Sequence, residues 1–330
     1  MKVGAFVFII MTLFALIGSV VGTSYHYVQN QKAMEAEVFA HLETAVQSRA
    51  AHINGFLDKE IEKLEIISSG FFFVDFIKSS ERGDINSDVF IKVKKRIDDL
   101  HIGIAIFDKE GMILVSENNP PGTDYSGLEF FQDGGDKTYI LSYYDMVRNE
   151  SYVGIIMPFL DPETNVSLGA IALDVSLDEL NEITLDKSGL GKTGELYLIN
   201  EEGYAITDLL FVDDVFLKWK VDSIGSRDCL EDLEEYRFDE DVQEHEEDVL
   251  LYLDYFGQNV IGAHDYIHKA KWCLLAEVGE EEVLGLQKEI FQRVSITIVV
   301  VITLFMSLVG LIFGSFIDKR VVLKKSKRRL

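Results

Sequence analysis

Cysteine is nearly absent from this chain, and outside its two ends positive charge is far outnumbered by negative. Only Cys229 and Cys273 occur among 330 residues. A multi-bridge framework is therefore excluded, and one disulfide or a pair of small buried thiols remains. Without a CxxC pair or a Cys/His cluster, no metal centre is expected. No Ser-His-Asp set, HExxH motif or nucleophile elbow is found, so neither an enzyme nor a bound cofactor is expected. Gly191-Lys192-Thr193 resembles the end of a phosphate-binding loop, but Asp186 stands where the first glycine is needed. Lysine and arginine number 31 against 56 aspartates and glutamates, and eight of those bases lie at Lys2 and from Lys319 to Arg329. The intervening sequence then holds 55 acids against 23 bases. Such a surface repels nucleic acid and excludes it as a partner.

Two apolar runs, Val3 to Gly22 and Val294 to Ile317, contain no charge at all. Each has roughly the 20 residues a helix needs to cross a bilayer, so both are expected to span the membrane. The basic cluster after the second run places both termini in the cytoplasm by the positive-inside rule. Everything from Tyr25 to Arg293 is then extracytoplasmic in a two-pass protein of the cell membrane. The acidic run from Glu231 to Asp248, around His245, matches no EF-hand spacing and is read as a solvated loop.

From Ser24 to Ser69 the chain has almost no breakers, and Val46, Ile53, Leu57, Ile61 and Leu64 recur mostly at helical spacing. One long helix is predicted, its stripe packing on its own domain or on a second copy in a homodimer. The period then changes to that of strands. Ile102 to Ser116 reads as a hairpin around Asp108-Lys109-Glu110-Gly111. Further strands are predicted at Thr138–Met146, Ser151–Phe159 and Ser167–Val175, and a short helix over Ser176–Thr184. The pattern then restarts with a second hairpin around Asn200-Glu201-Glu202-Gly203. Strands follow at Val249–Phe256, Asn259–Ile267 and Trp272–Val278, and a helix at Glu280–Arg293 runs into the second span.

Three segments carry a resemblance: Gly191-Lys-Thr-Gly-Glu-Leu-Tyr-Leu-Ile-Asn-Glu-Glu-Gly, Tyr255-Phe-Gly-Gln-Asn-Val-Ile-Gly-Ala and Lys271-Trp-Cys-Leu-Leu-Ala-Glu-Val. In order and spacing they resemble the double Cache extracellular sensor domains of transmembrane receptors, PAS-like modules also called PDC domains. The resemblance implies an α+β fold with a long N-terminal helix and two tandem PAS-like modules with antiparallel sheets, flanked by two transmembrane helices. Its expected divisions are a first span with a short cytoplasmic start (1–23), the long helix (24–69), a membrane-distal module (70–186), a membrane-proximal module (187–293), a second span (294–317) and a basic tail (318–330).

The resemblance further implies a small ligand held in the distal module. Amino-acid-binding relatives clamp the ligand carboxylate with an Arg just before a pair of aromatics, and here that position is Leu128. Without the bidentate donor an amino acid is disfavoured, and a cationic or neutral ligand is expected. Candidate ligand-binding residues are Asp174, where relatives hold an ammonium group, with Tyr125, Phe130, Phe131, Tyr143, Tyr144 and Asp145. In the alternative, the phenylalanines are core, the tyrosines line a sheet face, and Asp174 caps the helix that follows.

The expected function is a sensory receptor module, of the kind found on chemoreceptors and histidine kinases, that relays ligand binding across the membrane. With so little chain after Ile317, the output would lie in a longer receptor or in a separate signalling partner. The alternative is a membrane-tethered solute-binding protein that delivers ligand to a transporter.

Overall fold

The structure, a computed structural model, describes residues 2–68, 71–81, 87–100, 103–145, 148–161, 163–238 and 250–326. Most of the acidic run around His245 lies outside these residues. The chain divides into two compact units, one of residues 1–38 with 280–330, the other Phe39–Gly279.

Helix α1 (Lys2–Ser68) runs unbroken for 67 residues. From Phe39 onward its buried positions are Leu42, Val46, Ala50, Ile53, Leu57 and Leu64, three to four apart, so this stripe packs on its own domain. At the other end, α7 (Glu280–Ser326) begins with three glutamates, which favour the positive end of the helix dipole. Among the described residues, one helical stretch is long and apolar enough to cross a membrane, Glu280–Gly310, with a mean hydropathy of 2.2 and no burial in its most apolar window. Within that unit the rings of Tyr27 and Phe291 lie 4.3 Å apart.

The second unit holds two antiparallel sheets. The first has strands β1 (Ile104–Phe107), β2 (Ile113–Ser116), β3 (Tyr139–Asp145), β4 (Glu150–Leu160) and β5 (Ser167–Ser176), in the order β2-β1-β5-β4-β3. Helices α2 (Phe71–Glu81), α3 (Ser87–Leu100), α4 (Glu129–Gln132) and α5 (Asp178–Leu185) accompany it. Neither α2 nor α3 was expected from sequence. Phe73, Val74, Phe76 and Ile77 of α2 are buried, a dense apolar run whose helical character is set by what it packs against.

The second sheet orders β6 (Glu195–Ile199), β9 (Trp272–Gly279), β8 (Asn259–Ile267) and β7 (Leu250–Leu253) as β6-β9-β8-β7. Its predicted opening hairpin is only half formed. The return segment makes isolated bridges at Ile199–Ala205 and Tyr204–Lys220, because the Ala205 N–H donates to the Trp219 carbonyl rather than into a ladder. Helix α6 (Ile224–Phe238), also unexpected, starts where Ser223 and Ser226 each accept the other's backbone N–H at 3.1 and 3.0 Å, a reciprocal cap. A disulfide joins Cys229 of α6 to Cys273 of β9, with a Cα separation of 6.1 Å. It sits in a core formed with Tyr197, Ile199, Leu209 and Leu275.

Candidate functional site

Asp174 lies near the end of β5, and the alternation of the strand puts it on the same face as Ala170 and Ala172. Its cross-strand neighbour on β4 is Gly154, which has no side chain. A methyl group at Gly154 would stand 2.9 Å from Leu141 and 3.3 Å from Tyr143, so the glycine makes room for the Tyr143 ring. On its other side Asp174 meets Gly103, whose φ of +66° is in the left-handed region. A Cβ there would fall 2.7 Å from that of Asp174. The Asp174 N–H donates to the Gly103 carbonyl at 3.1 Å, while the Gly103 N–H donates to Glu117 at 2.8 Å. Two glycines therefore fix this carboxylate and leave it space.

Its principal partner is a residue that the sequence reading missed. Arg148, in the tight connection between β3 and β4, donates from Nη2 to Asp174 at 2.7 Å and from Nε to Asp145 at 2.7 Å. The guanidinium carbon also lies 4.1 Å from the centre of the Tyr152 ring. The Tyr143 hydroxyl acts on Asp174 as well, favouring its charged form. Burial raises the Asp174 pKa above the usual carboxylate range, against the pull of Tyr143 and Arg148. Burial, and then the negative charge of Asp174, raise the phenols of Tyr125 and Tyr143. Arg148 stands three residues after Asp145 of the Tyr143-Tyr144-Asp145 segment, and that proximity was the one available signal for it.

Asp174, Asp145, Tyr143 and Tyr125 thus gather around one guanidinium. The strand period sends Tyr144 to the opposite face, where its hydroxyl donates to Asn149 at 2.7 Å and its ring lies 5.7 Å from Lys218. Tyr144 is accordingly removed from the site. Phe130 and Phe131 are set at 90° to each other with centroids 4.9 Å apart. They belong to a core with Phe107, Ile113, Ile156, Ala170 and Ala172, so the small residues before Asp174 are covered by aromatic packing. Leu128 also packs against this core and precedes α4. Asp174 caps no helix: the residue at the cap of α5 is Leu177, and the Asp178 N–H donates to Ser176 Oγ at 3.2 Å.

A cavity of about 560 Å³ opens beside Asp174 and Arg148. Glu60, Glu117, Asp174, Asp178 and Glu179 line it against only two bases, Lys63 and Arg148. Lys63 is itself bound to Glu60 at 2.5 Å. The wall is therefore acidic, with the Tyr152 ring on one side.

Among curated proteins, none matches this sequence. Solved structures share its fold. The periplasmic domain of RsbU from Chlamydia trachomatis superposes with a TM-score of 0.55 at 12% identity, covering 79% of this chain and 98% of that one. The ligand-binding domain of the Pseudomonas fluorescens chemoreceptor CtaA, in complex with L-isoleucine, gives 0.53 at 12% identity, with 78% and 98% covered. The sensor domain of the histidine kinase DctB from V. cholerae gives 0.51 at 10% identity, with 74% and 98% covered. A family model, the Cache domain of the dCache_1 type, matches residues 30–286, and with the paired antiparallel sheets and the long leading helix this makes the chain a member of the Cache domain family.

Proposed function

We propose that this chain is a two-pass sensory receptor module whose membrane-distal part, residues 70–186, binds a small cationic or neutral ligand beside Asp174. The observation that carries the ligand class is the acid surplus around the cavity. Arg148 is held by two carboxylates and has little left to offer a free carboxylate, while a ligand ammonium can share Asp174 with it or take it over. Tyr152, which lines the cavity, adds an aromatic face suited to a cation.

In this reading both apolar runs span the membrane and both termini face the cytoplasm, as the basic cluster after Ile317 favours. The proximal module, residues 187–293, passes the signal on. Ligand binding biases the distal module between two packings, and the long helix and second span carry a displacement on the order of 1–2 Å inward. A homodimer through the exposed side of α1 gives that displacement a second surface to act against.

The test is a thermal-shift panel of amines, neutral solutes and dicarboxylates on the full chain in detergent, followed by calorimetric titration of the hits. A ligand at 100 times its dissociation constant adds about 2.7 kcal/mol. Amines or neutral compounds should stabilise the protein, and Asp174→Ala should weaken an amine by about 2 kcal/mol. Stabilisation by dicarboxylates alone would overturn the ligand class. An unchanged amine affinity in Asp174→Ala would overturn the site.

A further inference from the structure

Three carboxylates converge in the second sheet, none of them among the residues lining the cavity beside Asp174. Glu195 and Glu277 stand directly opposite each other on neighbouring strands β6 and β9. Asp254 closes the turn between β7 and β8 beside them. One oxygen from each lies within 4.8 Å of the other two, and their residues are only 6%, 1% and 6% exposed for Glu195, Glu277 and Asp254. Like charges facing each other across a sheet are destabilising even at a surface. At this separation each ionised pair repels by about 3.5 kcal/mol at an effective dielectric constant of 20.

The chain does little to neutralise them. Among the described residues none of the three forms an ion pair with lysine or arginine, and Lys187 acts on Glu195 only through its field. The groups that do reach them are donors suited to anions. Tyr197 and Tyr252 both donate to Glu277 Oε1, at 3.0 and 2.8 Å. Tyr255 and the Leu210 N–H donate to Glu195 Oε2 at 2.9 and 3.0 Å. The Phe256 and Gln258 amides each donate to Asp254 Oδ1 at 2.8 Å. The surroundings are shaped for this arrangement, since a side chain at Gly225 or Gly262 would overlap the Tyr252 hydroxyl.

One atom in this cluster has no partner. Glu277 Oε2 is buried and makes no hydrogen bond, although the residue is nearly sealed from solvent. A buried anionic oxygen without a partner costs several kcal/mol and calls for a counter-charge.

We propose that Glu195, Asp254 and Glu277 bind a hard divalent cation, calcium in preference to magnesium. Three oxygens pairwise within 4.8 Å share a point no more than roughly 2.8 Å from each, close to the 2.3–2.6 Å of calcium coordination. The all-carboxylate donor set, without nitrogen or sulfur, disfavours zinc and copper. Magnesium keeps several waters of its own, and this interior has little room for them. An ion there ties β6, β9 and the β7–β8 turn into one unit, and β9 continues directly into α7.

The experiment uses the full chain in detergent, stripped with a chelator and titrated with terbium. Tyr197, Tyr252 and Tyr255 stand against the carboxylates and will sensitise terbium luminescence. A saturable signal displaced by calcium more readily than by magnesium is expected. Glu277→Gln should weaken the calcium midpoint by at least about tenfold, the smallest loss that removal even of an outer-shell partner usually gives. Asp254→Asn, nearer the surface, provides the same reading should Glu277→Gln fail to fold. Asp174→Ala should leave the signal intact, which separates this site from the proposed ligand site. Absence of a saturable, calcium-displaced signal would mean that a proton balances the charge, and would overturn the proposal. A signal that survives in both Glu277→Gln and Asp254→Asn would come from other acidic residues, such as those of the Glu231–Asp248 run, and would overturn it equally.

Discussion

Each sheet carries a cluster of carboxylates against tyrosines, and the two clusters are balanced in opposite ways. In the first sheet Asp174 and Asp145 are bridged by Arg148, a cation supplied by the chain, at the edge of a cavity. In the second, Glu195, Asp254 and Glu277 meet in the interior with hydroxyl and amide donors but no guanidinium. A cation built into the chain leaves a site that an outside ligand enters by competition. A cluster lacking one recruits a counter-charge from solution. On the two proposals above, the same strand-and-tyrosine material yields an exchangeable site in one place and a structural one in the other.

The largest expected effect tests how far the second sheet depends on its staples. The bridge between Cys229 and Cys273 closes a loop with a sequence separation of 44. Replacing both cysteines with serine should destabilise by about 4 kcal/mol in the chain-entropy model. Denaturant unfolding measures this, and intact mass under non-reducing, denaturing conditions with alkylation confirms the bridge in the parent. Two alkylated thiols in the parent would remove the basis of the prediction.

Next comes the built-in cation of the first sheet. Arg148→Met should cost about 2 kcal/mol, below the range for a fully buried pair because the arginine side chain is 23% exposed. The same variant should bind amines more tightly than the parent, since the competitor for Asp174 is gone. Weaker amine binding in Arg148→Met would show that the arginine contacts ligand directly, and the contrast between exchangeable and structural clusters would need redrawing.

A smaller effect is expected at Gly103. Its left-handed φ and its contact with Asp174 predict that Gly103→Ala costs about 1–2 kcal/mol and displaces the carboxylate, weakening amine binding as well. A stability loss without any change in binding would mean that the backbone absorbs the added methyl away from Asp174.

How much of this was legible in the sequence follows from which interactions are local. The hairpin at Asp108–Gly111 could be read because its turn residues and flanking apolar runs lie side by side, and Gly111 takes the φ of +87° that such a turn favours. The strands β3, β4, β5, β8 and β9 were found for the same reason. Helix α2 was not, because Phe71-Phe-Phe-Val fits a buried strand as well as a helix until its packing is known. Helix α6 announces itself only through a Ser-x-x-Ser cap, a weaker mark than Glu or Gln at the second position. At the site, Asp174, Asp145, Tyr143 and Tyr125 come together, and strand alternation alone could have separated Tyr144 from Tyr143. Arg148 sits in a turn with no periodic signal. The meeting of Glu195, Asp254 and Glu277 depends on which strands pair, which no local pattern states.

The smallest effect compares two turns of similar build. Asp161 closes the β4–β5 connection by accepting the Glu163 N–H at 2.9 Å, much as Asp254 closes the β7–β8 turn with the amides of Phe256 and Gln258. The difference is that Asp161 also receives Lys78 of α2 at 2.8 Å. Lys78 foremost, then the Glu163 amide, hold the Asp161 pKa down at about 2, from an ordinary 3.8. A depressed carboxylate contributes stability that is fully present above its unfolded pKa and is lost as pH falls through its folded one. The contribution should therefore be complete above about pH 4 and vanish near pH 2. Asp161→Asn should lower the melting temperature slightly at pH 7, and the difference from the parent should shrink steadily between pH 4 and pH 2. Lys78→Met should abolish most of that pH dependence while keeping the turn. A gap between parent and Asp161→Asn that stays constant down to pH 2 would show that the turn amides alone, without Lys78, account for the stability of this corner, as they do for the local geometry of Asp254.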